Sequence, residues 1–306
     1  NEAMMTRVQA NMLLLLAGVI WGMGFVAQST AMANIGPFVF IGVRSAIASL
    51  TVLPLAVAEG RRSKHRLGRS GYLYFILIGL MFFIGMALQQ VGLLTTSVTN
   101  AGFLTGLYVV MVPVLGVVLF RTWPHPVVWP SAAACLVGIF LLSGGALTML
   151  RHGDWLVLCG AVFWAMQVVL IVNAKRAGRP ITLGCIQLVT AAVAGLAIAS
   201  VTEDFNWGAI LLSWKELLFA GVFSSAIAFT LQAVGQRYTT SAQAAIFLSS
   251  EALFAAISGA IFLGDRLTLM GFLGCGMLFA AMLAVELVPM LWSRKAGPAL
   301  PAGPTQ

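Results

Sequence analysis

Ten apolar runs follow one another along the chain, at 12–33, 36–58, 71–92, 97–119, 127–147, 155–175, 181–202, 215–235, 241–263 and 268–290, each bounded by charge, proline or glycine. About 20 apolar residues, rising 1.5 Å each as a helix, cross the hydrocarbon of a bilayer. Backbone in lipid must also satisfy its own hydrogen bonds, and a helix does so within one segment. The pattern therefore predicts an all-α polytopic membrane protein with ten transmembrane helices. Two links are very short: Asn34-Ile35-Gly36-Pro37 joins the first two runs and Gly264-Asp265-Arg266-Leu267 the last two. Such links place successive helices side by side and antiparallel.

Composition and charge sharpen this picture. The chain is 60% hydrophobic and 8% charged, against roughly 25% charged in soluble domains, which excludes an aqueous fold of this size. With the N-terminus in the cytoplasm and ten alternating crossings, 13 of the 17 Lys and Arg residues lie on the cytoplasmic side. Arg151, Lys215 and Arg266 lie outside, and Arg44 within the membrane. The positive-inside rule then predicts a multi-pass protein of a bacterial-type cytoplasmic (inner) membrane with both termini cytoplasmic. The net charge of +8 reports topology and not a nucleic-acid partner. Cys135, Cys159, Cys185 and Cys275 sit inside apolar runs without metal-ligand spacing and read as small apolar residues. Ala31-Met32-Ala33 could pass for a signal cleavage site, but the repeat described next needs the first run as a permanent helix.

The runs repeat. Trp21, Pro37 and Arg44 match Trp164, Pro180 and Gln187 at an offset of 143, as does Leu88-Gln89-Gln90-Val91-Gly92 with Leu231-Gln232-Ala233-Val234-Gly235. Thr95-Thr96-Ser97 matches Thr239-Thr240-Ser241 at 144. The chain thus divides into an N-terminus at 1–11, a first five-helix repeat at 12–147, a second at 148–290, and a cytoplasmic tail at 291–306 whose Pro, Gly and Ala content predicts disorder. Five is odd, so the second copy crosses the membrane upside down. Two inverted repeats offer two related packings around a midplane site, the physical basis of alternating access.

Gly18-Val19-Ile20-Trp21-Gly22, Arg44 early in the second helix, and Ser241-Ala242-Gln243-Ala244-Ala245 continuing through Glu251 to Phe262-Leu263-Gly264-Asp265-Arg266-Leu267-Thr268 resemble the drug/metabolite transporter superfamily, EamA type. The family pattern has an acidic residue before proline, then Leu-Gly-Glu-Arg-Leu-Thr. Here Ala252 replaces the proline, removing one cause of a kink, and Asp265 replaces the second glutamate. The resemblance spans essentially the whole chain. It implies ten helices in two inverted halves and export of small metabolites. The members it is most similar to are amino-acid exporters, including the YddG-type aromatic amino-acid exporters.

Ionisable residues inside a membrane are costly and mark function by default. Arg44 lies about 12 Å from the outer end of its helix and Glu251 about 15 Å from the cytoplasmic end of its own. One reading has Arg44 hold a carboxylate while Glu251 holds an ammonium or a proton; the other has them pair and hold the bundle together. Trp21 and Gln28 share a stripe with Gly18, Gly22 and Phe25; Trp164, Gln167 and Ile171 form the corresponding stripe of the sixth helix. Asn100, Phe103, Leu107 and Met111 form another, with Tyr108 beside it. The candidate substrate-binding residues are Trp21, Gln28, Arg44, Asn100, Tyr108, Trp164, Gln167 and Glu251. Gln89 and Gln232, near helix ends, read as loop caps; Glu286 reads as interfacial; Gly18/Gly22 and Gly102/Gly106 read as packing pairs within the monomer.

A single core cation does not suit phosphates or nucleotide sugars, and the first helix lacks the acid on which small four-helix cationic-drug exporters rely. A zwitterionic or neutral small molecule fits best. No His-Glu-x-x-His, Walker or Gly-x-Ser-x-Gly motif is present, so the expectation is a non-enzyme without metal or cofactor. Its flux would be downhill or ion-coupled, with the proton the coupling ion considered. The partners expected are a small-molecule substrate and the lipid bilayer, with no nucleic acid, in a monomer. The alternatives are an exporter of neutral or cationic drugs and a passive metabolite pore.

Overall fold

A computed structural model describes residues 5–63, 67–96, 98–142, 151–258, 261 and 268–295. All regular structure among them is helical. The first repeat contains α1 (Arg7–Ala31), α2 (Pro37–Arg62), α3 (Arg69–Gly92), α4 (Val98–Gly106), α5 (Tyr108–Phe120) and α6 (Val128–Leu142). The second contains α7 (His152–Asn173), α8 (Pro180–Thr202), a short helix α9 (Trp207–Leu212), α10 (Trp214–Leu218), α11 (Ala228–Gln236), α12 (Ser241–Leu248), α13 (Ser250–Ser258) and α14 (Leu269–Lys295). Eight helical stretches are long and apolar enough to cross a membrane, and Val128–Leu141 is a shorter apolar helix. The chain is a polytopic membrane protein built of two repeats.

Helix starts follow local chemistry. Thr6 and Gln9 form a capping box at α1: Gln9 N–H donates to Thr6 Oγ1 at 3.2 Å and Thr6 N–H to Gln9 Oε1 at 2.9 Å. Pro37 and Pro180 occupy the first turns of α2 and α8, where proline's missing N–H is not needed. Thr240 Oγ1 caps α12 by accepting from Gln243 N–H at 3.2 Å.

Three runs expected as continuous helices are interrupted. The fourth breaks at Leu107, between α4 and α5. The ninth breaks at Ser249, between α12 and α13, although Ala252 stands where the family has proline. There Ser249 Oγ turns back onto Ile246 C=O at 2.7 Å, a bond that competes with the helical ladder and bends it. The eighth contains a π-helical stretch, Phe219–Ile227, between α10 and α11. At the C-terminus, 291–295 continue α14 rather than opening the expected disordered tail; 296–306, like 262–267 with the Leu-Gly-Asp-Arg-Leu motif, lie outside the described residues.

The packing is symmetric between repeats. α2 lies on α8, and the pair is antiparallel. Phe38 and Val39 N–H donate to Glu203 Oε1 and Oε2 at 2.9 and 2.8 Å at one end. Ile181 and Thr182 N–H donate to Glu59 Oε1 and Oε2 at 3.1 and 2.7 Å at the other. Phe38 and Val39 match Ile181 and Thr182 at the repeat offset of 143, and Glu203 stands one residue beyond the mate of Glu59 and plays the same part. Each glutamate thus caps the other repeat's helix, where the helix dipole favours an anion. Toward the Glu203 end the backbones nearly touch, so a Cβ on Gly42 would lie 2.8 Å from Leu196 Cδ2 and one on Gly195 3.0 Å from Gly42 N. Around this pair α3 packs on α7 as α1 packs on the π stretch and α11; α7 packs on α4 and α5 as α1 packs on α13 and α12; and α6 packs on α14. Equivalent helices running oppositely are the inverted arrangement.

The outer surface is apolar: Leu50 is 68% exposed, Val118 69% and Val193 64%. Such a surface belongs in lipid. Of the eight Trp residues, six (Trp123, Trp129, Trp155, Trp207, Trp214 and Trp292) are exposed near helix ends, the position of an interfacial aromatic belt. Trp21 and Trp164 alone lie within.

Candidate functional site

One chamber opens inside the bundle, lined by residues of both repeats. Trp21, Gln28, Arg44, Tyr108, Trp164, Gln167 and Glu251 all line it. Asn100's side chain lies outside the described residues. The stripe predicted on the fourth run is displaced by one face: Thr105 and Tyr108 face the chamber, while Phe103 packs on Phe140 at 5.7 Å between centroids. The first helix is likewise divided. Trp21 and Gln28 face inward; Gly18 and Gly22 meet α13, where a Cβ on Gly18 would strike Ser250 Oγ and one on Gly22 would lie 2.6 Å from Ala255 N. Gly106 meets Ile139 of α6, so these glycines serve packing within the monomer. Ile171 belongs to a buried cluster toward the arginine-rich end.

Arg44 and Glu251 do not pair. Both are buried, but the Arg44 guanidinium rests on α8's neighbour, the π stretch: its Nε donates to Ser225 Oγ at 3.0 Å, and Nη2 lies 3.5 Å from Ser224 Oγ. Phe40 lies beneath it, 5.4 Å from ring centroid to Cζ. The π turn widens the helix and loosens its ladder, and Ser224 C=O accepts from Trp21 Nε1 at 2.9 Å. A single distorted segment thereby holds both the cation and one chamber Trp.

Gln89 and Gln232 line the chamber and do not cap loops. Trp164 Nε1 donates to Gln89 Oε1 at 3.1 Å. Gln167 Nε2 donates to Gln187 Oε1 at 3.2 Å and to Gln232 Oε1 at 3.3 Å; Gln232 Nε2 returns a bond to Gln167 Oε1 at 3.1 Å. In a medium without water, amides near the midplane satisfy one another, and this need drew the two glutamines inward. Their pairing across the repeats was the signal for it. Glu286 is also more engaged than an interfacial carboxylate: Oε2 accepts from Asn11 Nδ2 at 2.5 Å and Gln243 Nε2 at 2.7 Å, with Arg7 Nε at 3.5 Å. It ties α1, α12 and α14 together.

An aromatic wall lies beside the glutamines. Phe229 stacks on Trp164 at 6.0 Å, tilts against Trp21 at 4.7 Å and meets Phe82 edge-on at 4.5 Å. Three polar atoms of the lining, Gln90 Nε2, Thr105 Oγ1 and Tyr108 Oη, have no hydrogen-bond partner among the described residues. Gln90, Thr105 and Phe229 were not singled out by sequence. Gln90 adjoins the repeat-paired Gln89 and Thr105 is the repeat mate of Ser249, but Phe229 carried no separate signal.

A chamber lined by polar and aromatic side chains between two inverted helical repeats, with an apolar surface around the bundle, fits a membrane transport protein. The chain belongs to the EamA-like transporter family, whose model matches residues 8–144 and 151–287, one match per repeat. It is 30% identical over 284 residues to an uncharacterized transporter of Archaeoglobus fulgidus, covering 92% of this chain and 87% of that protein. It is 27% identical over 280 residues to the uncharacterized transporter YvbV of Bacillus subtilis, covering 86% and 87%. A crystal structure superposes with a TM-score of 0.78 at 14% identity, covering 96% of this chain and all of that one, which shows the shared fold.

Proposed function

We propose that this transporter exports zwitterionic amino acids, aromatic ones included, across a bacterial-type cytoplasmic membrane by alternating access, with both termini cytoplasmic. The observation that carries the reading is the division of one chamber into three chemistries. Arg44 on its serine shelf offers a cation for a carboxylate. Glu251, with the unpartnered Tyr108 and Thr105 hydroxyls also on the wall, offers acceptors for an ammonium. Phe229, Trp21 and Trp164 offer an aromatic surface for an apolar side chain. An exporter of cationic drugs would use Glu251 and the aromatic wall but would face repulsion from Arg44. Glu251 is also the candidate proton carrier, as a membrane carboxyl that alternates between binding an ammonium and binding a proton.

Counterflow in proteoliposomes loaded with amino acids tests this reading. Saturable exchange is expected for bulky zwitterions, and weaker exchange for their amides, which lack the carboxylate. Arg44→Gln should remove the preference for the acid over the amide while leaving the protein folded. Retention of that preference in a folded Arg44→Gln variant rules out Arg44 as the carboxylate site. Flux that does not saturate rules out a carrier in favour of a pore.

A further inference from the structure

The two ends of the bundle are not packed alike. At the arginine-rich end α12 packs on α7, and Gln236 Nε2 of α11 donates to Val168 C=O of α7 at 3.1 Å. Ile171 of α7 and Ala233 of α11 are both buried there, in one apolar cluster, and border the same narrow recess. This end of the chamber is shut, and its plug is apolar. At the opposite end the equivalent helices are α1, α3 and α4. Among the described residues neither α3 nor α4 packs on α1 as α12 packs on α7.

The repeat offset of 143 makes Gln28 the mate of Ile171 and Gln90 the mate of Ala233. Gln28 stands three residues before the end of α1 and Gln90 two before the end of α3, and both line the chamber. They therefore flank it at the level where its other end is plugged. Gln90 is 2% exposed, and its Nε2 has no acceptor among the described residues. A buried donor left unpaired is costly, and the fold does not require one at this position, since the mate is an alanine. Inverted repeats that exchange conformations turn the packing of one end into that of the other. In the exchanged state α1 closes on α3 and α4 as α7 now closes on α11 and α12. Gln28 and Gln90 then meet as Ile171 and Ala233 do here.

We propose that Gln28 and Gln90 form the gate at the end opposite the arginines, with Gln90 Nε2 donating to Gln28 Oε1 when that end closes. One gate is thus sealed by apolar contact and the other by an amide pair. The inference rests on the alternating-access reading above and is independent of the substrate. The test uses the full chain in proteoliposomes without substrate, with the native cysteines replaced. A short bifunctional thiol reagent should join Gln28→Cys to Gln90→Cys, as it should join Ile171→Cys to Ala233→Cys. Two single reporters then read the balance of states. Met86→Cys, on the chamber wall, should react with an impermeant thiol reagent from the side opposite the arginines, and Ala233→Cys from the arginine-rich side. Gln28→Leu or Gln90→Leu should raise the first rate relative to the second by about 2- to 12-fold, the equivalent of one net hydrogen bond. The double variant should shift the ratio no further than either single one, because one bond joins the pair. Failure to join Gln28→Cys to Gln90→Cys where the Ile171→Cys/Ala233→Cys pair is joined, an unchanged ratio, or additive shifts overturns the proposal. A Gln90 that served only to bind substrate would leave the ratio unchanged. Flux that does not saturate would instead remove the carrier reading itself.

Discussion

At the scale of single residues, the two repeats have diverged at matching positions to make two unlike poles. Arg44 corresponds to Gln187, and its partner Ser225 corresponds to Phe82. One copy of the position therefore seats a cation on a hydroxyl; in the other, Gln187 accepts from Gln167 Nε2 at 3.2 Å while Phe82 packs on Trp164 and Phe229. The chamber Trp residues differ in the same way. Trp164 lends its ring to Phe229 and Phe82 and its N–H to a glutamine side chain. Trp21 donates to the backbone of the π stretch that holds Arg44. Aromatic pairs contribute about 0.5–1.5 kcal/mol beyond area burial. Trp164→Ala should therefore weaken transport of Phe or Trp by roughly 2- to 12-fold and that of Ala or Gly less. Trp21→Ala should reduce all substrates together, because it also frees the support of Arg44. Matched uptake assays at equal expression check both, and equal losses across substrates in Trp164→Ala would assign that ring to packing alone.

At the scale of elements, α2 and α8 form the central antiparallel pair, clasped at both ends by Glu203 and Glu59. Helix caps are typically worth about 1 kcal/mol each. Glu203→Gln and Glu59→Gln should each destabilise the folded protein by about that amount, with Glu59→Gln the larger because it also loses the Thr182 hydroxyl. The clasps lie at opposite ends of long helices, so the two effects should add within about 0.5 kcal/mol. Denaturant titration of the single and double variants measures this; a neutral effect at one end would break the equivalence of the two clasps. The interruptions at Leu107 and Ser249 and the π stretch share another property. All lie in the fourth and eighth runs or in the fourth run's mate, and all border the chamber through Tyr108, Leu248, Glu251 or Ser224.

At the scale of the molecule, the exposed Trp residues and the apolar flanks mark the surface that meets lipid, and the charge asymmetry underlies the proposed orientation with both termini in the cytoplasm. That orientation has a direct test. His152 is exposed at the start of α7, on the side that carries few cations. A cysteine placed there, after removal of the native ones including the exposed Cys159, should react with an impermeant maleimide added to intact spheroplasts. Labelling that requires permeabilisation would invert the topology.

Sequence by itself determined the helical class, the repeat and the presence of buried charges within apolar runs, because a bilayer imposes those constraints segment by segment. A run must be apolar and long enough, and a cation inside it must have a purpose. Seven of the eight candidate residues line the chamber on the same logic. Tertiary structure decided which face of each helix turns inward. Lipid is as apolar as the protein interior, so these helices are apolar on every side and periodicity around them says little. That is why the stripe through Phe103 was misplaced and Thr105 was not foreseen. It is also why Gln89 and Gln232, judged by their distance from a helix end, were read as caps, although buried amides seek partners that only the packed bundle supplies. The reciprocal caps by Glu59 and Glu203 and the serine shelf under Arg44 join residues more than 100 positions apart. No local pattern encodes such contacts; they exist once two inverted halves have met.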